Sequence, residues 1–286
     1  MNTTRKTTSL KVDITNPGQF YACCGLLELA GRIAPETVAH FSDGHFIIQA
    51  NVATILDSFF KCDVEVKPST TGKEDVKVDD DSKTDAHRGR IHPMRLLAPF
   101  DLQLDWWTDD EAQEQKLKTW TAGQRVTDLL LPHHKKTKRK GKAHFTRIPS
   151  TREHFAAAVQ QYPDDWLQAA IPIKSPMTFS YDSRISRNNA IDLGYTDAGI
   201  LAFSPAVDVL TLVAFQRFRP LMLTQWSQNV FCTWHEPIPV EIAAVAALGV
   251  IPQLIDKRYE FPIKRRDSKG RFKLFGHAQP MRSSHA

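Results

Sequence analysis

Between residues 9 and 14, Leu10, Val12 and Ile14 take every second position against polar neighbours, so a strand is expected. Asn16-Pro17-Gly18 ends it, because proline removes a backbone donor and glycine permits positive φ. The period then changes. Over residues 20–33, Phe20, Cys23, Cys24, Leu27, Ala30 and Gly31 recur at helical spacing, with small residues suited to close packing. Residues 41–49, turning at Ser42-Asp43-Gly44, predict a hairpin, and residues 52–60 a helix.

Residues 67–90 are polar and predict an exposed loop or short edge strands, with Asp79-Asp80-Asp81 as a solvated turn. In residues 96–107, Phe100, Leu102, Leu104 and Trp106 alternate with Asp101, Gln103, Asp105 and Trp107, which predicts a strand. Such a strand places one of the tandem tryptophans inside and leaves the other for an interface. Residues 117–131 and 151–161 read as helices, the second opened by Ser150 and Glu153 at capping-box spacing. Further on, strands are expected at 173–181 and 224–233, and apolar helices at 205–217 and 240–248. Two β-like runs, 258–265 and 271–275, predict a closing hairpin.

These elements predict an α+β fold of two packed lobes, each mixing short sheets with apolar helices. The N-terminal lobe takes residues 1–131, a basic flexible loop residues 132–150, and the C-terminal lobe residues 151–286. With 42% hydrophobic residues, 16 Phe and six Trp, the 286-residue chain can bury a core, which excludes a disordered chain. The four cysteines form no C-x-x-C pair and read as small buried hydrophobes in a reducing compartment. No apolar signal core and no long apolar run occurs, so a soluble, cytoplasmic chain without a membrane partner is expected.

Candidate chemistry is sparse. The chain has no G-x-G-x-x-G, Walker loop or G-x-S-x-G. Asp101, Asp105 and Asp182 are too generic to define a metal nuclease, and His133-His134 lies in a cationic run that opposes metal binding. Metal-independent RNA cleavage needs one placed histidine as general base; His87, His92 and His144 all qualify, and no local pattern chooses among them. A non-enzyme with no catalytic residue, no metal and no cofactor is the expectation.

Charge is more informative by position than by total. A net +5 favours anionic partners only weakly. However, Lys135, Lys136, Lys138, Arg139, Lys140 and Lys142 place six cations in eight residues. The C-terminal runs add Lys264, Arg265, Arg266, Lys269, Arg271 and Lys273, interleaved with Tyr259, Phe261, Phe272 and Phe275, a pattern that can track phosphates and stack a base. Arg184 and Arg187 lie in a polar segment suited to phosphate and sugar contacts. Arg217 and Arg219 close an apolar helix, where a cation serves the helix dipole as readily as a ligand.

Several segments taken in order carry a family resemblance. Asn16-Pro17-Gly18-Gln19-Phe20-Tyr21-Ala22-Cys23-Cys24-Gly25-Leu26-Leu27-Glu28-Leu29-Ala30 resembles the N-terminal signature of the Csb-three family of type I-U (or I-G) CRISPR systems, described as Cascade large-subunit-like. Leu104-Asp105-Trp106-Trp107, Leu117-Lys118-Thr119-Trp120 and Ala190-Ile191-Asp192-Leu193-Gly194-Tyr195 are similar to the same family, and Phe215-Gln216-Arg217-Phe218-Arg219-Pro220 resembles a phrase also seen in the larger effector subunit of these systems. The resemblance implies a non-catalytic subunit of a crRNA-guided surveillance complex in antiviral defence. Its implied partners are crRNA and/or target DNA and other CRISPR effector-complex subunits, with sequence read by guide pairing. A crRNA-processing endoribonuclease and a purely structural scaffold stay open as alternatives.

Overall fold

A computed structural model describes residues 6–67, 92–108, 126–139, 142–173, 179, 181–184, 201–222, 228–265 and 273–281. The fold is mixed α+β, with six helices and small antiparallel sheets among the described residues. The chain opens with β1 (Thr8–Lys11), α1 (Pro17–Ile33), the hairpin β2 (Val38–Ser42) and β3 (His45–Ile48), and α2 (Val52–Lys61). Three short strands follow: β4 (Val64–Val66), β5 (Met94–Leu96) and β6 (Leu102–Leu104). Then come α3 (Thr127–Leu130), β7 (His133–Arg139), β8 (Lys142–Ile148) and α4 (Thr151–Gln161). Next are β9 (Ile171–Ile173), β10 (Leu201–Phe203), α5 (Pro205–Ala214), β11 (Leu221–Met222), β12 (Asn229–Trp234), β13 (Ile238–Pro239) and α6 (Val240–Ala247). The last strands are β14 (Ile255–Phe261), β15 (Ile263–Arg265), β16 (Lys273–Phe275) and β17 (Gln279–Pro280).

Helix α1 organises the molecule. Asn16 caps it, accepting from the Gly18 N–H at 3.1 Å, and Pro17 starts it with φ already fixed. Every residue from Pro17 to Ala30 is buried, as expected of a helix apolar on all sides. It runs in the same direction as α5: the Thr211 hydroxyl donates to the Gly18 carbonyl at 3.1 Å, and farther along Arg217 meets Glu28. Glycine makes the approach possible. A Cβ at Gly25 would stand 2.0 Å from the Leu210 carbonyl oxygen, and one at Gly18 2.2 Å from that of Tyr181.

One core therefore spans the positions assigned to separate lobes. Phe20 of α1 stacks on Phe231 of β12 at 4.1 Å between ring centroids, and Tyr21 meets Phe215, beyond α5, edge to face at 5.0 Å. The sheet β1-β3-β2 is completed at its edge by β13 from the far end of the chain. The segments before and after residues 132–150 thus share one core.

Other expectations shift in detail. Residues 96–107 are not one strand: β5 ends, the chain turns through a cis Ala98-Pro99 bond, and β6 stops at Leu104. Trp106 to Thr108 form a 3₁₀ turn, whose successive side chains diverge by about 120° rather than alternating. Both tryptophans are consequently buried, at 1% and 0% exposure, and neither is left for an interface. The Trp106 indole N–H donates to the Leu212 carbonyl at 2.9 Å. The closing run divides as well, because Pro262 has no N–H to extend a ladder. β14 joins β12 and β17, and only the short β15 pairs with β16.

The capping box on α4 forms as expected: the Glu153 N–H donates to the Ser150 hydroxyl at 3.2 Å, and the Ser150 N–H to the Glu153 carboxylate at 2.8 Å. Ser150→Ala is expected to cost about 1 kcal/mol, lowering the melting temperature by roughly 2–4 °C in a thermal denaturation scan. Among the described residues no helix is long and apolar enough to cross a membrane. The expected polar loop at 67–90 and most of the helix at 117–131 lie outside the described residues.

Candidate nucleic-acid interface

The basic segment expected as a flexible loop is a β-ribbon. β7 and β8 pair only with each other, in the register His133↔Ile148, Lys135↔Thr146, Lys136↔Phe145, Lys138↔Ala143 and Arg139↔Lys142. Strand patterning is not visible in the sequence because neither face of β8 is buried from Ala143 to Arg147, so nothing there requires apolar residues at every second position. Ala143, His144, Phe145, Thr146 and Arg147 are all exposed in succession, so both faces of β8 are open.

The ribbon is fixed at its root. Leu129 and Leu130 of α3 are fully buried just before it, and Ile148 and Pro149 lead into the buried Ser150 cap. His133 Nδ1 lies 3.3 Å from the Asp128 carboxylate, and the Arg147 guanidinium is paired with Glu153. Partial burial pushes the Glu153 carboxyl up, but the Arg147 hydrogen bond and charge, with the Ser150 contacts, hold it below its ordinary value. Lys135, Lys136, Lys138, Arg139 and Lys142 thus belong to an anchored two-stranded arm; Lys140 lies outside the described residues.

The C-terminal group is partly as expected. Lys264 is exposed on β15 opposite Leu274, and Arg265 pairs in register with Lys273. Arg266, Lys269 and Arg271 lie outside the described residues. The interleaved aromatics are not a stacking platform: Tyr259, Phe261 and Phe275 are buried, and Phe261 and Phe275 pack edge to face at 5.0 Å. Phe272 lies outside the described residues.

Arg184 is half-buried and paired within the fold. Its guanidinium donates to the Asp182 carboxylate at 2.8 Å and to Gln168, while Asp182 also accepts from Asn16 Nδ2 at 2.7 Å and from the Ser204 hydroxyl at 2.6 Å. Burial pushes the Asp182 carboxyl up, but the Arg184 hydrogen bonds and charge, helped by Ser204, hold it below the usual carboxylate range. Arg187 lies outside the described residues. Arg217 likewise serves the fold: Glu28, 1% exposed, takes Arg217 Nε at 2.5 Å and Arg32 Nε at 2.8 Å.

The described segments of the family resemblance meet one another. Gln216 accepts from the backbone N–H groups of Asp105 and Trp106 at 3.0 and 3.2 Å and donates to the Asp105 carboxylate at 3.0 Å. With Arg217 on Glu28, this joins three of the five segments in one interior framework. Leu117–Trp120 and Ala190–Tyr195 positions lie outside the described residues.

Among the described residues no group of three or more His, Cys, Asp or Glu side chains is placed to hold a metal ion. A cleft of about 200 Å³ lies between the β2–β3 turn and the β12–β14 pair, lined by Phe41, Asp43, His45, Thr233, His235 and Tyr259. Of the histidines weighed for RNA cleavage, His144 is exposed on β8, His92 precedes β5, and His87 lies outside the described residues. Phe145 was not singled out by its sequence; its signal was an aromatic residue among cations just past the basic run. In comparisons with known proteins, no family model matches the chain and no curated protein matches it.

Proposed function

We propose that the protein is a non-catalytic, cytoplasmic subunit of a type I-U/I-G crRNA-guided surveillance complex that grips nucleic acid with a basic β-ribbon. The observation that carries this reading is the anchored ribbon β7–β8, basic along its length and exposed on both faces of β8. A two-stranded hairpin is marginal in water by itself, and closely spaced cations on it repel one another. A polyanion laid along the ribbon relieves that repulsion and releases counterions. The ordered resemblance supports membership of such a complex, and the ribbon supports a nucleic-acid contact.

Replacing Lys135, Lys136, Lys138, Arg139 and Lys142 together with Gln tests it. The expected result is at least a roughly tenfold loss of affinity for RNA or DNA at low salt. The slope of log affinity against log salt should also fall, by about 0.7 for each cation that meets a single-strand phosphate. Fluorescence anisotropy across a salt series measures both. Unchanged affinity and slope would favour a purely structural scaffold, and chelator-resistant cleavage of repeat RNA lost in His144→Ala would favour the endoribonuclease.

A further inference from the structure

Resting on that reading, we infer that the ribbon takes single-stranded nucleic acid, with an unpaired base stacked on Phe145. Phe145 is 67% exposed, the most exposed large hydrophobic side chain among the described residues. Isolated exposed apolar residues are ordinary on protein surfaces. The setting of this one is not ordinary: it stands directly opposite Lys136 on a ribbon whose partner strand is basic.

Pleating assigns Ala143, Phe145 and Arg147 to one face together with positions His134, Lys136 and Lys138. Ala143 is small, so on its side a flat ring can lie beside Phe145 without meeting a bulky neighbour on β8. The flanking charge selects a polyanion over an apolar peptide as occupant. Among polyanions, a duplex keeps its bases stacked, and wedging an aromatic ring between them costs a few kcal/mol per step. A single strand offers its base faces freely and tolerates any sequence, because every base has a π-face. The buried aromatics of β14 and β16 offer no competing platform.

The test uses the full chain with oligo(dT), oligo(rU) and a blunt duplex of equal length. Wild type should bind a single strand more tightly than the duplex. Phe145→Ala should weaken single-strand binding roughly 5- to 150-fold, leave the salt slope unchanged, and alter duplex binding less than about twofold. Phe145→Tyr should retain wild-type affinity. The two single strands separate RNA from DNA as the preferred source of the base. Loss of duplex and single-strand binding to the same extent, or no loss on either strand, would overturn the inference; in the second case Phe145 serves a protein neighbour. If wild type binds none of the three probes, the nucleic-acid reading itself fails, a different outcome from a silent Phe145→Ala.

Discussion

Gly25→Ala lowers the melting temperature by roughly 6–12 °C, although alanine is the better helix former. Intrinsic propensity favours the substitution by about 1 kcal/mol. Against that, the new methyl carbon would lie 2.0 Å from the Leu210 oxygen, 2.8 Å from its carbonyl carbon and 3.2 Å from the Ala214 nitrogen. All three are backbone atoms of α5, which no rotamer change can move aside. The helices would have to part by more than an ångström, opening the most tightly packed interface of the core. A net loss of about 3 kcal/mol corresponds to that shift for a chain of this size. Gly31→Ala is the control: its nearest neighbour is the Val240 Cγ1 at 3.0 Å, a side-chain atom that can give, so only a small change is expected. Thermal scans of both variants decide it; a Gly25→Ala melt indistinguishable from wild type would contradict the close α1–α5 contact.

Asp182→Ala carries the second large effect. It leaves Asn16 Nδ2, the Ser204 hydroxyl and Arg184 without their shared acceptor. Breaking a buried ion pair costs about 3–5 kcal/mol. Arg184 retains 28% exposure and can recover water, so about 2–3 kcal/mol is the appropriate expectation. The pH dependence fixes the cause. A carboxyl whose folded value is depressed contributes stability that is complete above its unfolded value, about 3.9. That contribution disappears as pH falls through the folded value. The stability gap between wild type and Asp182→Ala in denaturant titrations should therefore narrow below about pH 4. A gap that stays constant to lower pH would mean that packing, not the ionised carboxylate, holds the segment.

What was legible in the sequence follows from how much each pattern is forced. Helix α1 and the β2–β3 hairpin were readable because helical period in the one and turn chemistry in the other are plain in the sequence. The capping box of α4 was readable for the same reason. Trp106 and Trp107 mislead because alternation persists in the sequence after β6 has ended, whereas a 3₁₀ turn buries both rings and Trp106 bonds to Leu212 of α5. The ribbon was hidden by the converse: a strand with no buried face has no reason to alternate, and its lysines resemble a loop. Arg184 reads as a surface contact because Gln168, the partner that draws its guanidinium against the fold, is distant in sequence. At the candidate site, charge was legible and the exposed aromatic Phe145 was not, since strand register decides which cation faces it.

The parallel seating of α1 on α5 has a consequence in time. On the ribosome, α1 emerges about 200 residues before the helix that covers it, a delay of roughly 10–40 s at ordinary synthesis rates. During that interval the face of α1 that α5 covers and the edge of β2 that β13 covers have no native partner within the nascent chain. The first third of this protein thus keeps apolar surface exposed until α5 is made. Slowing translation between α1 and α5 should lower soluble yield more than slowing it after α6.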